Sequence, residues 1–511
     1  MSLGERYYIT TAIDYVNALP HLGTAYEKIG ADCCARFRRL MGYDVFFMMG
    51  VDEHSVNVEK EAIRRGQDVR VYCDEMSAEF EKVWSALNIS YNYFVRTTSS
   101  DHIRTVQYMF QVLYDKGDIY TGLYEGWYCN SCEAFLMDKD LVDGNCPTHQ
   151  SKPQWIKEKN YFFKLSKYRD ALLQHIENNP EFIQPVVRRN EIVKLLESGL
   201  DDISVTRCGV KWGIPLPFDQ DHVVYVWFDA LINYLSGVGY PHHELQYKKY
   251  WPAQVHVIGK DITRFHCVIW PAMLMGVGVA LPEMVFGHGF IYLKGAKMSK
   301  TGGQAVGPVE AAEKYGADAL RYFLMREVAF DRDGDFTWEG FEQRYDSDLA
   351  NDLGNLINRS LSMIERYFKG QIPSPTIYNE KDNEIINEAK KMFDDYVQSM
   401  KKFRFHEALS KIWSFIQKCN IYVDQSAPWV LAKDPLQKDR LSSVLYVLAE
   451  SVRWIAYTTM PFIPSSSAMM FDQLGYKGIP DGGFDQLREW GMLKPGQVLG
   501  ERKPLFPKQE K

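Results

Sequence analysis

The chain has 511 residues and a formal net charge of −7, with 46% apolar and 24% charged residues. That length fits roughly two to four domains with substantial cores, the composition is that of an ordinary globular protein, and the acidic balance argues against nonspecific adhesion to polyanions while leaving local basic surfaces open. No run of about 18 apolar residues offers a membrane span, and the 9 cysteines show no paired framework, which suits a reducing compartment and makes a cytoplasmic location the expectation.

Arg6 to Ile13 is rich in Tyr, Ile and Thr, as a buried strand is, and lies so near the start that no signal or transit peptide is expected. Pro20 ends an irregular run. Tyr26, Ile29, Cys33, Phe37 and Leu40 then recur at helical spacing until Gly42. The unit reads strand, loop, helix. His21, Gly23 and Thr24 fall at the helix start, where unpaired N–H groups and the positive dipole end favour phosphate. Gly23 leaves room for a flat base against the backbone, and His21 and Thr24 offer an imidazole and a hydroxyl as phosphate donors. Taken alone, a capped helix with a surface histidine is the better account of this stretch.

Tyr43 to Met49 is a second apolar run, ending in Gly50-Val51-Asp52-Glu53-His54. In an open parallel sheet this places Asp52 at the carboxyl end of a strand, where ligands bind and a cation can be met; a helix N-cap is the competing reading. Residues 55–118 read mostly as helix with breaks at Gly66 and Asn88, and Met109, Phe110, Leu113 and Tyr114 read as core.

The character changes at Gly122–Ser151. Cys129 and Cys132 form one knuckle, and Cys146-Pro-Thr-His149 follows after thirteen residues. Three thiolates and one imidazole make a closed tetrahedral site of the structural zinc type, with no position left for a catalytic water. The Gly- and Asp-rich segments between the knuckles are too poor in apolar residues to fold by burial, so the metal would supply folding energy.

Lys159 to Gly199 reads as largely helical and basic, with Arg188, Arg189 and Lys194 on a solvated face or an RNA contact. Strand-like runs return at Asp221–Leu235 (Val223 to Trp227, then Asp229-Ala230-Leu231), at Gln254–Asp261, ending in Gly259-Lys260-Asp261, and at Met284–Leu293, around Gly287-His288-Gly289. Strands on both sides of an inserted module imply one sheet split by a zinc-bearing insertion. Lys297-Met298-Ser299-Lys300-Thr301-Gly302-Gly303 follows, a glycine-rich cationic loop suited to triphosphate, although in isolation an ordinary solvated loop is the better account. From about Ala350 the pattern is helical, with stripes through Phe403–Val423 and through Leu441, Val444, Leu445, Leu448, Val452 and Ile455. This predicts a helical bundle closed by Pro461 and Pro464 and a Gly/Pro-rich tail from about residue 475.

Together these residues resemble the class I aminoacyl-tRNA synthetases, and among them the methionyl-tRNA synthetase family, over essentially the whole chain. His21-Leu22-Gly23-Thr24 matches the class motif His-x-Gly-His except at its last position, and Lys297 to Thr301 matches Lys-Met-Ser-Lys-Ser except at its last. Tyr15, Gly50–His54, Trp227-Phe228-Asp229-Ala230, Gly259-Lys260-Asp261-Ile262, His288-Gly289, Asn355–Arg359 and Ala427-Pro428-Trp429 fall where that family carries them, while Val51 and Ser55 depart from its usual Thr and Gly.

The resemblance implies an α/β fold in which a Rossmann-like parallel sheet, split by a zinc-bearing insertion, precedes an α-helical anticodon-binding bundle. The implied divisions are 1–118 and 213–300 for the catalytic halves, 119–212 for the insertion, 301–349 for the loop and linker, and 350–511 for the bundle. It implies ATP-dependent attachment of L-methionine to tRNA(Met) through methionyl-adenylate. ATP would be bound by His21, Gly23, Thr24, Gly259, Asp261, Lys297, Met298, Ser299 and Lys300, with His21, Thr24, Lys297 and Lys300 neutralising phosphate charge beside Mg²⁺. Asp52 would take the methionine ammonium, and Ala12, Ile13, Tyr15, Trp227, Ala230, Tyr234 and His288 would line the side-chain pocket. Asn355, Arg359 and Trp429 would read the anticodon, and Cys129, Cys132, Cys146 and His149 would hold one structural Zn²⁺. A monomer is expected. A small-molecule nucleotidyltransferase shares the His-x-Gly-His chemistry, and a non-catalytic RNA-binding relative would keep the bundle while losing the ATP site, so methionine-dependent pyrophosphate exchange separates the readings.

Overall fold

The computed structural model describes residues 5–147, 150–293, 296–297, 307–487 and 489–507, with the backbone alone at residues 139, 296 and 297. His149, Met298, Ser299, Lys300 and the side chain of Lys297 lie outside the described residues.

Arg6–Thr11 and Asp44–Asp52 are apolar runs buried almost throughout, as strands covered on both faces must be. They sit at the centre of a 7-stranded sheet in the order Asp14–Tyr15, Asp44–Asp52, Arg6–Thr11, Val255–Gly259, Val285–His288, Ile183–Gln184, with Tyr93–Arg96 also paired to Asp44–Asp52. Every pairing is parallel. Ile9 lies beside Val255 on one side and Phe47 on the other, so all the carboxyl ends open on one edge.

Short strands differ from the reading of the sequence. Tyr93–Arg96 lies within the stretch read as helical, between the Val69–Ala86 and Ser100–Asp115 helices. Ile183–Gln184 supplies the edge strand of the main sheet from a stretch also read as helical. The Val223–Trp227 run is not a third strand after the insertion. His222–Val224 pairs antiparallel with Thr206–Cys208 in a separate two-stranded sheet, and Val226–Leu231 is helical. A short apolar run is buried equally well as strand or helix, so its composition does not decide between them.

The insertion is a four-stranded antiparallel sheet built on the long hairpin Ile119–Cys129 and Gln154–Phe163, flanked by Ala134–Leu136 and Ile203–Ser204. Beyond residue 354 the chain forms the expected bundle of Asn355–Phe368, Glu380–Lys401, Phe405–Ser426 and Lys438–Thr459. Lys438–Thr459 is buried on every side from Leu441 onward, the signature of a central helix. Pro461 follows its end, but Pro464 opens a further helix, Pro464–Gln473, because proline is tolerated in the first turn, where its missing N–H is not needed.

One buried side chain ties these parts together. Arg321, with 0% exposure, donates to Asp32 Oδ2 at 2.6 Å, to the Pro461 carbonyl at 2.8 Å, to the Phe462 carbonyl at 2.9 Å and to the Leu87 carbonyl at 3.2 Å. Asp32 belongs to Leu22–Leu40, and Pro461 and Phe462 belong to the bundle. Burial pushes the Asp32 carboxyl up, yet Arg36 and Arg321 bring it down to about 2. No described helix is long and apolar enough to cross a membrane.

Candidate active site

The sheet's open edge holds a cavity of about 710 Å³, within the usual size range of small-molecule sites. It is lined by Ala12, Ile13, Tyr15, His21, Gly23, Thr24, Asp52, Trp227, Ala230, Tyr234, Gly259, Asp261 and His288, so the structure brings together every site residue expected of the nucleotide and amino-acid pockets outside the Lys297–Lys300 loop.

At one end the Leu22–Leu40 helix begins. His21 is its N-cap, and its Nδ1 accepts the Thr24 backbone N–H at 3.2 Å. A backbone N–H only donates, so in the neutral ring the proton sits on Nε2, which leaves that nitrogen as a hydrogen-bond donor. The Thr24 hydroxyl lies 3.4 Å from the same Nδ1. Gly23 has a more local reason than room for a base: a Cβ there would stand 2.9 Å from His21 Cε1 and displace the capping ring. Gly259 ends its strand where a Cβ would stand 2.8 Å from Asp261 Oδ1, so glycine leaves that carboxylate its place at the cavity.

Asp52 ends the Asp44–Asp52 strand in register with Tyr15. The helix that follows is capped by Ser55, so the capping role open to Asp52 in the sequence falls to another residue. Asp52 is 4% exposed, and no cationic side chain pairs with it among the described residues. Burial raises its pKa first, and the negative charges of Asp229 and Glu133 raise it further. Asp229 stays ionised despite its burial because His54 Nδ1, at 2.8 Å, and His102 Nε2, at 2.6 Å, hold its two oxygens. The result is a buried field that favours an incoming cation.

Beside Asp52 the wall is aromatic. Trp227 stacks on Phe265 with ring centroids 4.0 Å apart, and Tyr15 meets Trp227 edge-on at 6.4 Å. Tyr234 lies over His256 at 4.2 Å, and its hydroxyl meets His266 Nε2 at 2.7 Å. His266 Nδ1 lies 3.0 Å from the Ile262 carbonyl, an acceptor, so Nδ1 carries the proton and Nε2 accepts from Tyr234. Burial holds His266 at about 4, so the pair is neutral near pH 7. A thioether suits such a wall, because sulfur–aromatic contacts contribute roughly 0.3–1.5 kcal/mol.

The floor was not foreseen. Lys28 is wholly buried and bonds Asp14 Oδ2 at 2.7 Å, Glu27 Oε1 at 2.7 Å and the Ala12 carbonyl at 2.9 Å, while Glu27 Oε2 meets His288 Nε2 at 3.0 Å. This network joins the first strand, the helix and the Val285–His288 strand under the cavity. Helical periodicity selects the apolar positions of Leu22–Leu40 and passes over Glu27 and Lys28. Phe265 and His266 lie a few residues beyond the recognised Gly259–Asp261 strand end, on a π-helical turn, Phe265–Ile269; π-turns cluster at functional sites.

On the far rim, the sulfurs of Cys129, Cys132 and Cys146 lie within 4.8 Å of one another, and those of Cys132 and Cys146 are 3.7 Å apart. Metal–sulfur bonds of about 2.3 Å at the tetrahedral angle place two sulfurs about 3.8 Å apart, so the donor set fits a metal ion.

In the bundle, Arg359 and Asn355 share the Asn355–Phe368 helix. The Arg359 guanidinium stands 5.9 Å from the Trp429 ring and 2.5 Å from Asp424 Oδ1. Trp429 is 40% exposed, so it does not plug the bundle. Ala427, in the left-handed region with φ 40, turns the chain into the short Pro428–Leu431 helix that presents it.

Comparison with known proteins agrees with this geometry. The family model described as tRNA synthetases class I (M) matches residues 7–154 and 148–361, and the one described as anticodon binding domain of methionyl tRNA ligase matches residues 372–511. A methionine–tRNA ligase of Caldanaerobacter subterraneus is 46% identical over 99% of this chain and 79% of its own length, and one of Thermotoga maritima is 44% identical over 98% and 80%. The structure of Mycobacterium tuberculosis methionyl-tRNA synthetase in complex with methionyl-adenylate superimposes with a TM-score of 0.95 at 41% identity, covering 99% of this chain and 100% of that one. The chain therefore belongs to the methionyl-tRNA synthetases of class I.

Proposed function

We propose that this methionine–tRNA ligase joins L-methionine to tRNA(Met) at the cavity of the sheet edge, first forming methionyl-adenylate and pyrophosphate from methionine and ATP. The observation that carries the amino-acid site is Asp52, a buried carboxylate in a negative field beside an aromatic wall, which the methionine ammonium would neutralise. In the first step a methionine carboxylate oxygen bonds to the α-phosphorus, the bond from that phosphorus to the bridging oxygen breaks, and pyrophosphate leaves with the electron pair. The carboxylate is already ionised at neutral pH, so no side chain needs to act as a base. What the site supplies is alignment and charge neutralisation. His21 Nε2–H, the Thr24 hydroxyl, Lys297 and Lys300 face the phosphates in this reading, with Met298 and Ser299 completing their loop, and Mg²⁺ accompanies the triphosphate as part of the ATP substrate. Asp261 accepts the ribose hydroxyls. In the second step the oxygen of a hydroxyl of the 3′-terminal adenosine bonds to the methionyl carbonyl carbon, the bond from that carbon to the phosphate oxygen breaks, and AMP departs with the electron pair, its phosphate taking up the hydroxyl proton. Incubation with ATP, labelled pyrophosphate and single amino acids tests the whole reading. Exchange with methionine alone is expected, and none with any amino acid would leave only an RNA-binding role.

Cys129, Cys132 and Cys146, with His149, form the structural Zn²⁺ site of this proposal. Metal analysis should give about one zinc per chain, and chelation should make the 119–212 insertion sensitive to protease. A metal-free preparation with a protease-resistant insertion would overturn it. The divisions proposed are 1–118 with 213–300 for catalysis, 119–212 for the insertion, 301–349 for the linker and 350–511 for the anticodon. A cytoplasmic monomer completes the reading, supported by 9 free cysteines and by exposed apolar side chains such as Leu245 and Leu436 that sit on separate elements.

Trp429 offers an exposed ring for an unstacked anticodon base, with Arg359 and Asn355 on one helix face to read base edges. Base stacking contributes about 1–3 kcal/mol, so Trp429→Ala should weaken aminoacylation roughly ten- to a hundredfold while leaving methionine-dependent pyrophosphate exchange nearly unchanged. Parallel loss of both activities would refute the anticodon role.

A further inference from the structure

The metal knuckle touches the methionine pocket directly. Residues 130–133 sit in the insertion, yet their polar groups are met from separate places in the catalytic half. Ser55 Oγ donates to Glu133 Oε1 at 2.9 Å, and the Asn57 backbone N–H donates to the same oxygen at 3.0 Å. Asn57 Nδ2 donates to the Asn130 carbonyl at 2.9 Å. From the other side, the Tyr225 hydroxyl donates to the Glu133 carbonyl at 2.8 Å, and Trp227 Nε1–H reaches the Cys132 carbonyl at 3.4 Å. Glu133 is 1% exposed and holds φ 52, a left-handed conformation that a non-glycine residue keeps only where surrounding contacts enforce it.

We infer that Glu133 is a positioning residue for methionine: it fixes the knuckle against the segment after Asp52 and the segment carrying Trp227, and so sets the distance between the ammonium anchor and the aromatic wall. Ser55 and Asn57 open the helix that follows Asp52 directly, and Tyr225 and Trp227 straddle the start of Val226–Leu231. Both halves of the amino-acid pocket are thus tied to one side chain and its own carbonyl. The hydrogen bonds of this set run to the segments carrying Asp52 and Trp227, so their loss should act first on the amino-acid end of the cavity. The inference rests on the reading of Asp52 and Trp227 as methionine contacts.

The test is methionine binding to the metal-loaded, full-length protein by calorimetry without ATP, alongside KM for methionine and for ATP in pyrophosphate exchange. Glu133→Ala removes the acceptor of two hydrogen bonds and should raise the Kd and KM for methionine about tenfold, with the KM for ATP changed less than about twofold and the metal content intact. Glu133→Gln keeps an acceptor oxygen and should recover most of the affinity. Ser55→Ala approaches the same contact from the catalytic half, leaves the insertion untouched, and should shift methionine affinity in the same direction by less. Unchanged methionine affinity in both alanine variants, equal shifts for methionine and ATP, or loss of the metal in Glu133→Ala would overturn the inference. Failure of the unsubstituted protein to bind methionine would instead overturn the reading of the pocket itself.

Discussion

Asp52→Ala should lower methionine-dependent pyrophosphate exchange by roughly thirty- to several-thousandfold, the equivalent of about 2–5 kcal/mol for removing one partner of a buried charge pair. The reason lies in what remains. Without Asp52 the methionine ammonium would enter a pocket in which the neighbouring carboxylate of Asp229 is already engaged by His54 and His102. Asp52→Asn preserves the shape and the contact from the His54 backbone N–H but not the charge, so it should fail nearly as badly, while the KM for ATP changes little. The same geometry gives the unsubstituted enzyme a pH signature. Burial, Asp229 and Glu133 raise the Asp52 pKa, so its carboxylate takes up a proton at a higher pH than an ordinary aspartate. In the proposed reading methionine binding needs the ionised form, so affinity should fall as pH drops through that raised value and be restored above it. Exchange unchanged in Asp52→Ala would show that the ammonium is held elsewhere.

Arg321→Ala should destabilise the protein by about 3 kcal/mol, the lower end of the 3–5 typical of a broken buried ion pair. The lower end applies because Arg36 and Ser90 still contact Asp32 and the Cys33 thiol still reaches the Pro461 carbonyl at 3.1 Å, whereas the Phe462 and Leu87 carbonyls lose the Arg321 N–H groups. Asp32 has a depressed pKa in the folded state, about 2, against about 3.9 unfolded. Its stabilisation is complete above the unfolded value and fades as pH falls toward the folded one. Without Arg321 the folded value rises, so the loss should be smaller and complete at a higher pH. Urea unfolding checks the magnitude, and a loss under about 1 kcal/mol in the first transition would show that the strut contributes little.

Much of this was legible in the sequence, for reasons that differ from place to place. Strands buried on both faces, such as Asp44–Asp52, are continuous apolar runs and declare themselves. The cysteine spacing reports metal chemistry without any knowledge of the fold, and it placed three sulfurs that do converge. Asp52 and Gly259 could be placed because ligands gather at strand ends. Short elements were hidden. Tyr93–Arg96 and Ile183–Gln184 are too brief to show alternation and exist because a neighbour offers them a ladder. The Glu27–Lys28 pair lay beyond sequence reading because its meaning depends on Asp14 and His288, which the chain brings to it from both sides. Trp227 lines the cavity from a helix although the sequence reads as a strand there, since Val, Tyr and Trp in succession fit either conformation.

The edge strand Ile183–Gln184 bears on how this protein tolerates insertion and loss. The hairpin of 119–163 closes on itself through its own ladder, so extra residues between Leu136 and Cys146, outside the two proposed metal-binding knuckles, would add little more than loop-closure entropy. Excising the whole of 119–212 is a different matter. It would strip Val285–His288 of its neighbour and leave the strand that carries His288 as a bare edge, open to pairing with another chain. The insertion can therefore grow outward at its tip, but it is not a detachable appendage, and a shortened variant has to keep residues 183–184 to remain a well-behaved protein.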